Sequence, residues 1–279
     1  MNDIVVKSPA KINIGLNIIN KRDDGFHNLE TIFYPLNLFD EIKFIKSDKF
    51  SFDSNDENLK KEHSNLIIKS KELLEKEFGI QLLVDIYLNK NIPIGAGLGG
   101  GSSNAASTLK ALIKLFDLKV DTKHLADLAL LLGSDVPYFL NPIPSFAESR
   151  GEVLIPINFK INKYLLIVNP GIHVATKWAF GLITPIKPDE SLKSLIHKSK
   201  IEIDEIMNLA SNDFEKIVFN QFPEIKEIKE KMLDFEAIHS MMTGTGSTVW
   251  AMFDDEEAAY QSELYFKCKN YFTFIQNPI

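Results

Sequence analysis

Pro93-Ile94-Gly95-Ala96-Gly97-Leu98-Gly99-Gly100-Gly101-Ser102-Ser103-Asn104-Ala105-Ala106 carries five glycines in seven positions, then two hydroxyls and a run of helix formers. Such a backbone has almost no side-chain cover. Its glycines can take positive φ and let another group come close to the N–H donors. A helix starting directly behind adds unpaired N–H groups and a partial positive charge, which together make a seat for phosphate. Ahead of it, Leu82–Leu88 reads as an apolar strand. Behind it, Leu109, Leu112, Ile113 and Phe116 recur at spacings of three and four, one face of a helix. Strand, glycine loop and helix in that order predict an anion-binding turn.

Two better-known glycine loops fit less well. No Gly-x-x-x-x-Gly-Lys-Ser/Thr occurs, so this is not a P-loop. Gly95-x-Gly97-x-x-Gly100 does match the dinucleotide fingerprint, and Asp121 lies near the acidic position expected about 20 residues further on. That acid should end a core strand, however. Leu118-Lys119-Val120 is too short for one, and a new helical pattern starts at once. The loop also sits a third of the way into the chain rather than at the opening of a βαβ unit.

Outward from the loop, the chain reads as neighbouring strands and helices without regular βα alternation, an α+β pattern. Ile4–Val6 and, after Ser8-Pro9, Ala10–Ile18 are predicted strands. In the second, Ile12, Ile14, Leu16 and Ile18 alternate with Lys11, Asn13, Gly15 and Asn17, so Lys11 and Asn13 share a face. Arg22–Asn28 reads as a turn, and strands follow at 31–36 and 41–45. Helices are predicted over Ser64–Phe78, ending at an αL Gly79, and over His124–Leu132, ending at Gly133 before Ser134-Asp135-Val136-Pro137. The character of the chain changes near Ala147–Pro156. Beyond it come a strand at 164–168, a helix over 224–235 and the glycine turn Thr243-Gly244-Thr245-Gly246-Ser247-Thr248. A strand at 249–253, a helix over 255–267 and a strand at 271–275 finish the chain.

The chain has 279 residues, 45% of them hydrophobic and 25% charged, enough apolar content for a sizeable core in two packed halves. A net charge of −7 argues against nucleic-acid binding, which relies on clustered cations. One cysteine, Cys268, permits no internal disulfide or cysteine metal cluster and suits a reducing cytoplasm. The first residues lack a secretory apolar core, and no stretch is apolar enough to span a bilayer.

Three segments together resemble the GHMP kinases, a family of small-molecule kinases. They are Pro9-Ala10-Lys11-Ile12-Asn13, the loop at 93–106 and the turn at 243–248. Arg22-Asp23-Asp24-Gly25-Phe26-His27, Gly133-Ser134-Asp135-Val136-Pro137 and Phe146-Ala147-Glu148-Ser149-Arg150-Gly151-Glu152 narrow the match within the family. The narrower resemblance is to members that pass the ATP γ-phosphoryl group to the 2-hydroxyl of a cytidine-diphosphate-linked methylerythritol, in non-mevalonate isoprenoid synthesis. It implies a two-domain α+β fold with the active site in the interdomain cleft. The expected domains are 1–152, which holds the ATP loop, and 153–279 on the substrate side.

The resemblance also assigns residues. Pro93, Gly95, Gly97, Leu98, Gly99, Gly100 and Gly101 would cradle the ATP phosphates. Ser102, Ser103 and Asn104 would cap the helix and touch phosphate or Mg²⁺, which should arrive with ATP, held largely by phosphates and waters. No residue is expected to form a metal site of its own. Asp135 would be the base for the acceptor hydroxyl and Lys11 its electrostatic partner. From the residues alone, an ordinary turn aspartate and a solvated edge lysine remain the commoner readings. Asn13 would contact substrate. Phe26 and His27 offer a ring face and a hydrogen-bonding edge, as a pyrimidine needs; from the residues alone a packing Phe and a surface His are the commoner reading, and the family match places both at the cytosine with Phe180 on its opposite face. Many relatives have Tyr at position 26, whose phenol is lost here, and Arg150 stands where some carry an aliphatic residue. Gly244, Gly246 and Ser247 would support substrate or loop, with a plain tight turn as the alternative. Asn65 would lie on the adenosine side or cap its helix. Asn212-Asp213-Phe214-Glu215 recurs in the family and can also be read as a helix cap. His63, His124, His173, His197 and His239 lack metal-ligand spacing and read as structural or surface residues.

Three rival readings stay open at this point. One keeps the fold and changes the acceptor to mevalonate, homoserine or galactose. One is a non-catalytic nucleotide-binding module, and one is a dinucleotide oxidoreductase. The expected protein is a cytoplasmic monomer or weak dimer that takes ATP and the cytidine-linked acceptor and binds neither nucleic acid nor membrane.

Overall fold

Residues 2–61 and 65–278 are described by a computed structural model. The strands are β1 (Asp3–Lys21), β2 (His27–Lys46), β3 (Ser51–Ser54), β4 (Val84–Asn89), β5 (Ser145–Ser149), β6 (Val153–Pro156), β7 (Tyr164–Asn169), β8 (His239–Met242), β9 (Val249–Phe253) and β10 (Phe272–Gln276). The helices are α1 (Glu57–Lys61), α2 (Leu66–Phe78), α3 (Gly100–Leu115), α4 (Thr122–Leu132), α5 (Thr176–Leu182), α6 (Ile203–Leu209), α7 (Glu215–Gln221), α8 (Pro223–Asp234) and α9 (Glu256–Cys268).

The chain forms two compact units that are not consecutive in sequence. The first comprises Met1–Ala10, Asn37–Ile94 and Gly99–Pro142; the second comprises Lys11–Leu36, Gly95–Leu98 and Ile143–Ile279. The units therefore cross the sequence boundary expected at 152. β1 and β2 each pass from one unit into the other, and so does the glycine loop.

In the first unit, β4 lies between β3, which it pairs in parallel, and the C-terminal part of β2, which it pairs antiparallel from Glu41↔Asn89 to Lys46↔Val84. Ile42, Phe44, Val84, Ile86 and Leu88 alternate inward and are buried. Leu109, Leu112 and Leu115 of α3 are buried in the same unit. Asn65 caps α2 by accepting the Ile68 N–H at 3.0 Å. Gly79 ends that helix at φ +63, the αL cap expected. Ser64, at the expected start of that helix, and His63 lie outside the described residues.

In the second unit, the N-terminal part of β2 pairs with β5, and β5 with β6, all antiparallel. A second sheet runs β10-β7-β9-β8, also antiparallel throughout. α7, α8 and α9 supply Val218, Ile225, Ile228, Met232, Ala259 and Phe266 to its core, beside Leu166, Val168, Val249 and Ala251. Trp250 of β9 is wholly buried and still satisfies its indole N–H on the Asn13 carbonyl at 3.1 Å.

Two expectations need correction. Pro9 does not divide the first strand, because β1 runs unbroken from Asp3 to Lys21. The segments read at 31–36 and 41–45 are likewise one strand, β2. Alternation identified one buried face of β1, but Lys11, Asn13 and Asn17 on the other face are buried too.

Candidate active site

The glycine loop turns through three left-handed residues, Gly95, Gly97 and Gly99, at φ +65, +77 and +71. Between them Ala96 and Leu98 are buried as anchors. The N-cap of α3 is Gly99, and no side chain caps it. Ser102, Ser103 and Asn104 therefore do not cap this helix. Ser103 N–H is the donor of a bond back to Gly99 O at 2.9 Å. The N–H groups of Gly100, Gly101 and Ser102 precede it in the first turn, where a helix leaves its donors unpaired.

In the first unit, Ser103 and Asn104 face the protein rather than the loop mouth. Both are buried. The Ser103 hydroxyl accepts from Ser8 at 2.9 Å, and Asn104 Nδ2 donates to Ser8 Oγ at 3.0 Å and to Asp40 Oδ2 at 2.8 Å. Asp40, wholly buried, gathers both limbs of the loop. Its Oδ1 accepts the N–H groups of Asn91 and Ile92, each at 2.8 Å, and its Oδ2 also accepts Lys90 Nζ at 2.7 Å. Burial pushes the Lys90 ammonium below its ordinary pKa, while the Asp40 carboxylate opposes that shift. Neither Asp40 nor Lys90 stood out in the sequence, since a single acid and base 50 residues apart carry no pattern. Asp135 sits half-buried in the turn after α4, which closes with Val136 N–H donating to Gly133 O at 3.1 Å, just ahead of Pro137. The proline and the short 3-10 turn Pro137–Leu140 stiffen its backbone.

In the second unit, Lys11 N–H donates to Leu98 O at 3.0 Å, which ties β1 to the loop. The Lys11 side chain is buried, with Nζ donating to Asn13 Oδ1 at 2.6 Å and lying 4.9 Å from the centre of the Phe33 ring. Asn13 Nδ2 in turn donates to Thr31 Oγ1 at 3.0 Å, and its backbone N–H donates to Thr243 Oγ1 at 2.8 Å. Asn13 is thus a fixed orienter of the lysine. The two glycine segments meet here backbone to backbone. A Cβ on Gly97 would overlap the Thr243 carbonyl oxygen, and one on Gly244 would stand 3.3 Å from Gly97 Cα. Only glycine permits that approach. Asn212 holds the second segment from beneath, donating to Met242 O at 2.8 Å and Gly244 O at 2.9 Å. It also accepts Phe214 N–H at 3.0 Å, but Phe214 is itself the N-cap of α7 and no side chain caps that helix, so Asn212 braces the turn before α7 and does not cap it. Ser247 is wholly buried, its hydroxyl donating to Ile172 O at 2.6 Å.

The aromatic residues also lie in the second unit. His27 and Phe180 meet at 5.3 Å between ring centres, and Phe180 stands edge-on to Phe214 at 4.8 Å. Burial and Lys21 hold the His27 pKa below its ordinary value, so its imidazole is neutral at pH 7, with one donor and one acceptor nitrogen. Phe26 is 49% exposed at the hairpin tip between β1 and β2 and carries the Arg150 guanidinium 4.5 Å above its ring. Glu152 secures that arginine, accepting its backbone N–H at 2.7 Å and pairing with its Nε at 3.7 Å. Arg22 links the hairpin to Ser149 Oγ at 3.0 Å. Among the described residues no group of three or more His, Cys, Asp or Glu is placed to hold a metal ion. No helix among them is long and apolar enough to cross a membrane.

Comparison with known proteins fits this arrangement. Residues 65–141 match the GHMP kinases N terminal domain and residues 191–271 match the GHMP kinases C terminal domain. The chain belongs to the GHMP kinases. Among curated relatives, a 4-diphosphocytidyl-2-C-methyl-D-erythritol kinase of Bacteroides fragilis is 44% identical over 89% of this chain and 91% of its own length. A relative of the same name from Chlorobium phaeobacteroides is 36% identical over 96% and 95%. A crystal structure of 4-(cytidine 5'-diphospho)-2C-methyl-D-erythritol kinase superposes with a TM-score of 0.81 at 28% identity, covering 98% of each chain. Homoserine kinase from Cytophaga hutchinsonii shares the fold, with a TM-score of 0.71 at 18% identity over 99% of this chain and 94% of its own.

Proposed function

We propose that the protein uses ATP to phosphorylate the 2-hydroxyl of 4-diphosphocytidyl-2-C-methyl-D-erythritol, giving the 2-phosphate, in non-mevalonate isoprenoid precursor synthesis. The observation that carries this reading is the close relationship, across nearly the whole chain, to kinases named for that acceptor. The ring pair His27–Phe180, with the half-exposed Phe26 next to His27 in the chain, supports it, since acceptors such as mevalonate or homoserine bring no base to stack.

In this reading the N–H groups of the loop from Gly95 to Ser102 take the triphosphate. Pro93 and Leu98 hold the loop's shape, and Ser103 and Asn104 contribute by bracing it from inside. Asp135 accepts the proton of the attacking hydroxyl as the new P–O bond forms. The Lys11 ammonium, aimed by Asn13, favours ionisation of that hydroxyl and offsets charge on the transferred group. Gly244, Gly246 and Ser247 support the loop through Gly97, and Asn65 lies on the adenosine side. Residues 1–152 then hold the ATP loop together with the acceptor residues Lys11, Asn13, Phe26, His27 and Asp135, and 153–279 add Phe180 and the turn at 243–248 on the substrate side, in a cytoplasmic monomer or weak dimer. Mg²⁺ would come bound to ATP, where it screens phosphate charge, with the Ser102 hydroxyl as a protein donor.

A coupled ADP-release assay tests the assignment. Turnover is expected with the cytidine-linked acceptor and not with mevalonate or homoserine, with CMP as a competitive inhibitor. Equal turnover of mevalonate, or indifference to CMP, would remove the assignment.

A further inference from the structure

His173, read from sequence as one of the surface histidines, has a particular setting. Its segment is pinned to the second glycine turn. Asn169 Nδ2 donates to Ser247 Oγ at 3.1 Å and to Thr248 Oγ1 at 2.9 Å, while Ile172 O accepts the Ser247 hydroxyl. Gly171 N–H donates to Asn169 Oδ1 at 2.9 Å, and Thr176 Oγ1 lies 3.4 Å from Thr245 Oγ1. So fixed, the segment lays the imidazole against the glycine loop. A Cβ built on Gly95 would stand 3.0 Å from His173 Nδ1 and 3.4 Å from its Cε1. The residue is exposed, and among the described residues its ring makes no hydrogen bond or ion pair.

The same segment continues into α5, where Phe180 meets His27. It therefore runs from the aromatic cluster at one end to Gly95 at the other, with Thr176 between. An acceptor with its pyrimidine at Phe180 and its reacting hydroxyl at the glycine loop must lay its diphosphate along this stretch. An imidazole there retains an N–H donor in either charge state, and Gly95 leaves room for it.

We propose that His173 contacts substrate, its imidazole N–H donating to a phosphate oxygen at the open edge of the glycine loop. That oxygen belongs to the acceptor's diphosphate or to the terminal phosphate of the nucleotide. The proposal rests on the kinase reading above.

The test compares His173→Ala, His173→Phe and His173→Gln in the full-length protein. The readouts are kcat, KM for each substrate at saturation of the other, and calorimetric binding of ATP alone. Loss of one hydrogen bond to a charged oxygen at a solvent-reached site should raise one KM about tenfold in the Ala and Phe variants. Gln, which keeps a donor, should stay within about threefold of wild type. A rise confined to the acceptor KM supports the proposal and assigns the oxygen to its diphosphate. A rise in the ATP KM, matched by weaker ATP binding, supports it and assigns the nucleotide. Wild-type constants in the Phe variant, or equal damage from Gln and Ala, would overturn it. Absence of turnover by the wild type with the cytidine-linked acceptor would instead defeat the kinase reading and leave only the nucleotide's phosphate as partner; ATP binding unchanged in the Ala and Phe variants would then overturn the His173 proposal too.

Discussion

The Lys11–Asn13–Thr243–Gly97 cluster and the Phe26–Arg150 tip belong to the same unit and are built in opposite ways. In the first, every polar side chain is buried and hydrogen-bonded, and two backbones touch with no room for a methyl group. In the second, a half-exposed ring is held by a long charged side chain whose Nε stands 3.7 Å from a Glu152 carboxylate oxygen. Under the proposed function the contrast separates two duties. Groups that act on a transferring phosphoryl must stand still, since preorganised dipoles are what stabilise its charge. A surface that selects a base needs only a flat face and a matching edge, and can give a little on binding.

That separation can be broken in several ways. Asp135→Asn should lower kcat by roughly 10² or more while ATP binding persists, the usual size of a general-base contribution. Near-normal turnover would mean that the chemistry lies elsewhere. Gly97→Ala should destabilise the fold by about 3 kcal/mol, from a left-handed backbone and an overlap with the Thr243 carbonyl that nothing flexible can relieve. A denaturation midpoint equal to wild type would show that the two glycine segments are free to part. Phe26→Ala should raise the acceptor KM about tenfold, as loss of one stacking platform does, with the ATP KM and the midpoint nearly unchanged. A comparable loss of kcat would erase the division of duties. The smallest effect concerns His27, whose pKa lies below 6.5 in the fold. Above about pH 7.5 it is neutral in both states and contributes nothing. As pH falls through 6.5 the unfolded chain takes up a proton that the fold resists, so stability is lost until the folded pKa is passed. Thermal melts at pH 7.5 and 5.5 should therefore show a larger drop for wild type than for His27→Gln.

Much of this arrangement was legible because it is local. Alternation along β1 put Lys11 and Asn13 on one face, and the glycine loop declared both its positive-φ turns and the helix behind it. Asn65 and Gly79 mark helix ends as their chemistry requires, whereas Asp121, weighed only as a dinucleotide acid, caps a helix that starts at Thr122, ahead of the expected His124. What the sequence hid is long-range. Thr243 meets Asn13 across 230 residues, and Asp40 meets Asn104 across 64. Ser103 and Asn104 looked outward because small polar residues beside a phosphate loop usually do. Their burial depends on Ser8 and Asp40, which no periodicity links to them. Pro9 misled because its strand-breaking effect is a tendency of sheet interiors, and β1 carries it without interruption.

The interleaving of the two compact units constrains how this polypeptide could be divided. The fragment after residue 142 would lack the strand residues 11–36 and the four loop residues that complete its unit, and the preceding fragment would carry those segments unpartnered. Neither piece is a candidate for autonomous expression, and splicing one onto a foreign partner would strand half of a sheet. Variation between relatives is thus expected to enter through surface substitutions and hairpin tips, with exchange of whole modules closed off by connectivity alone.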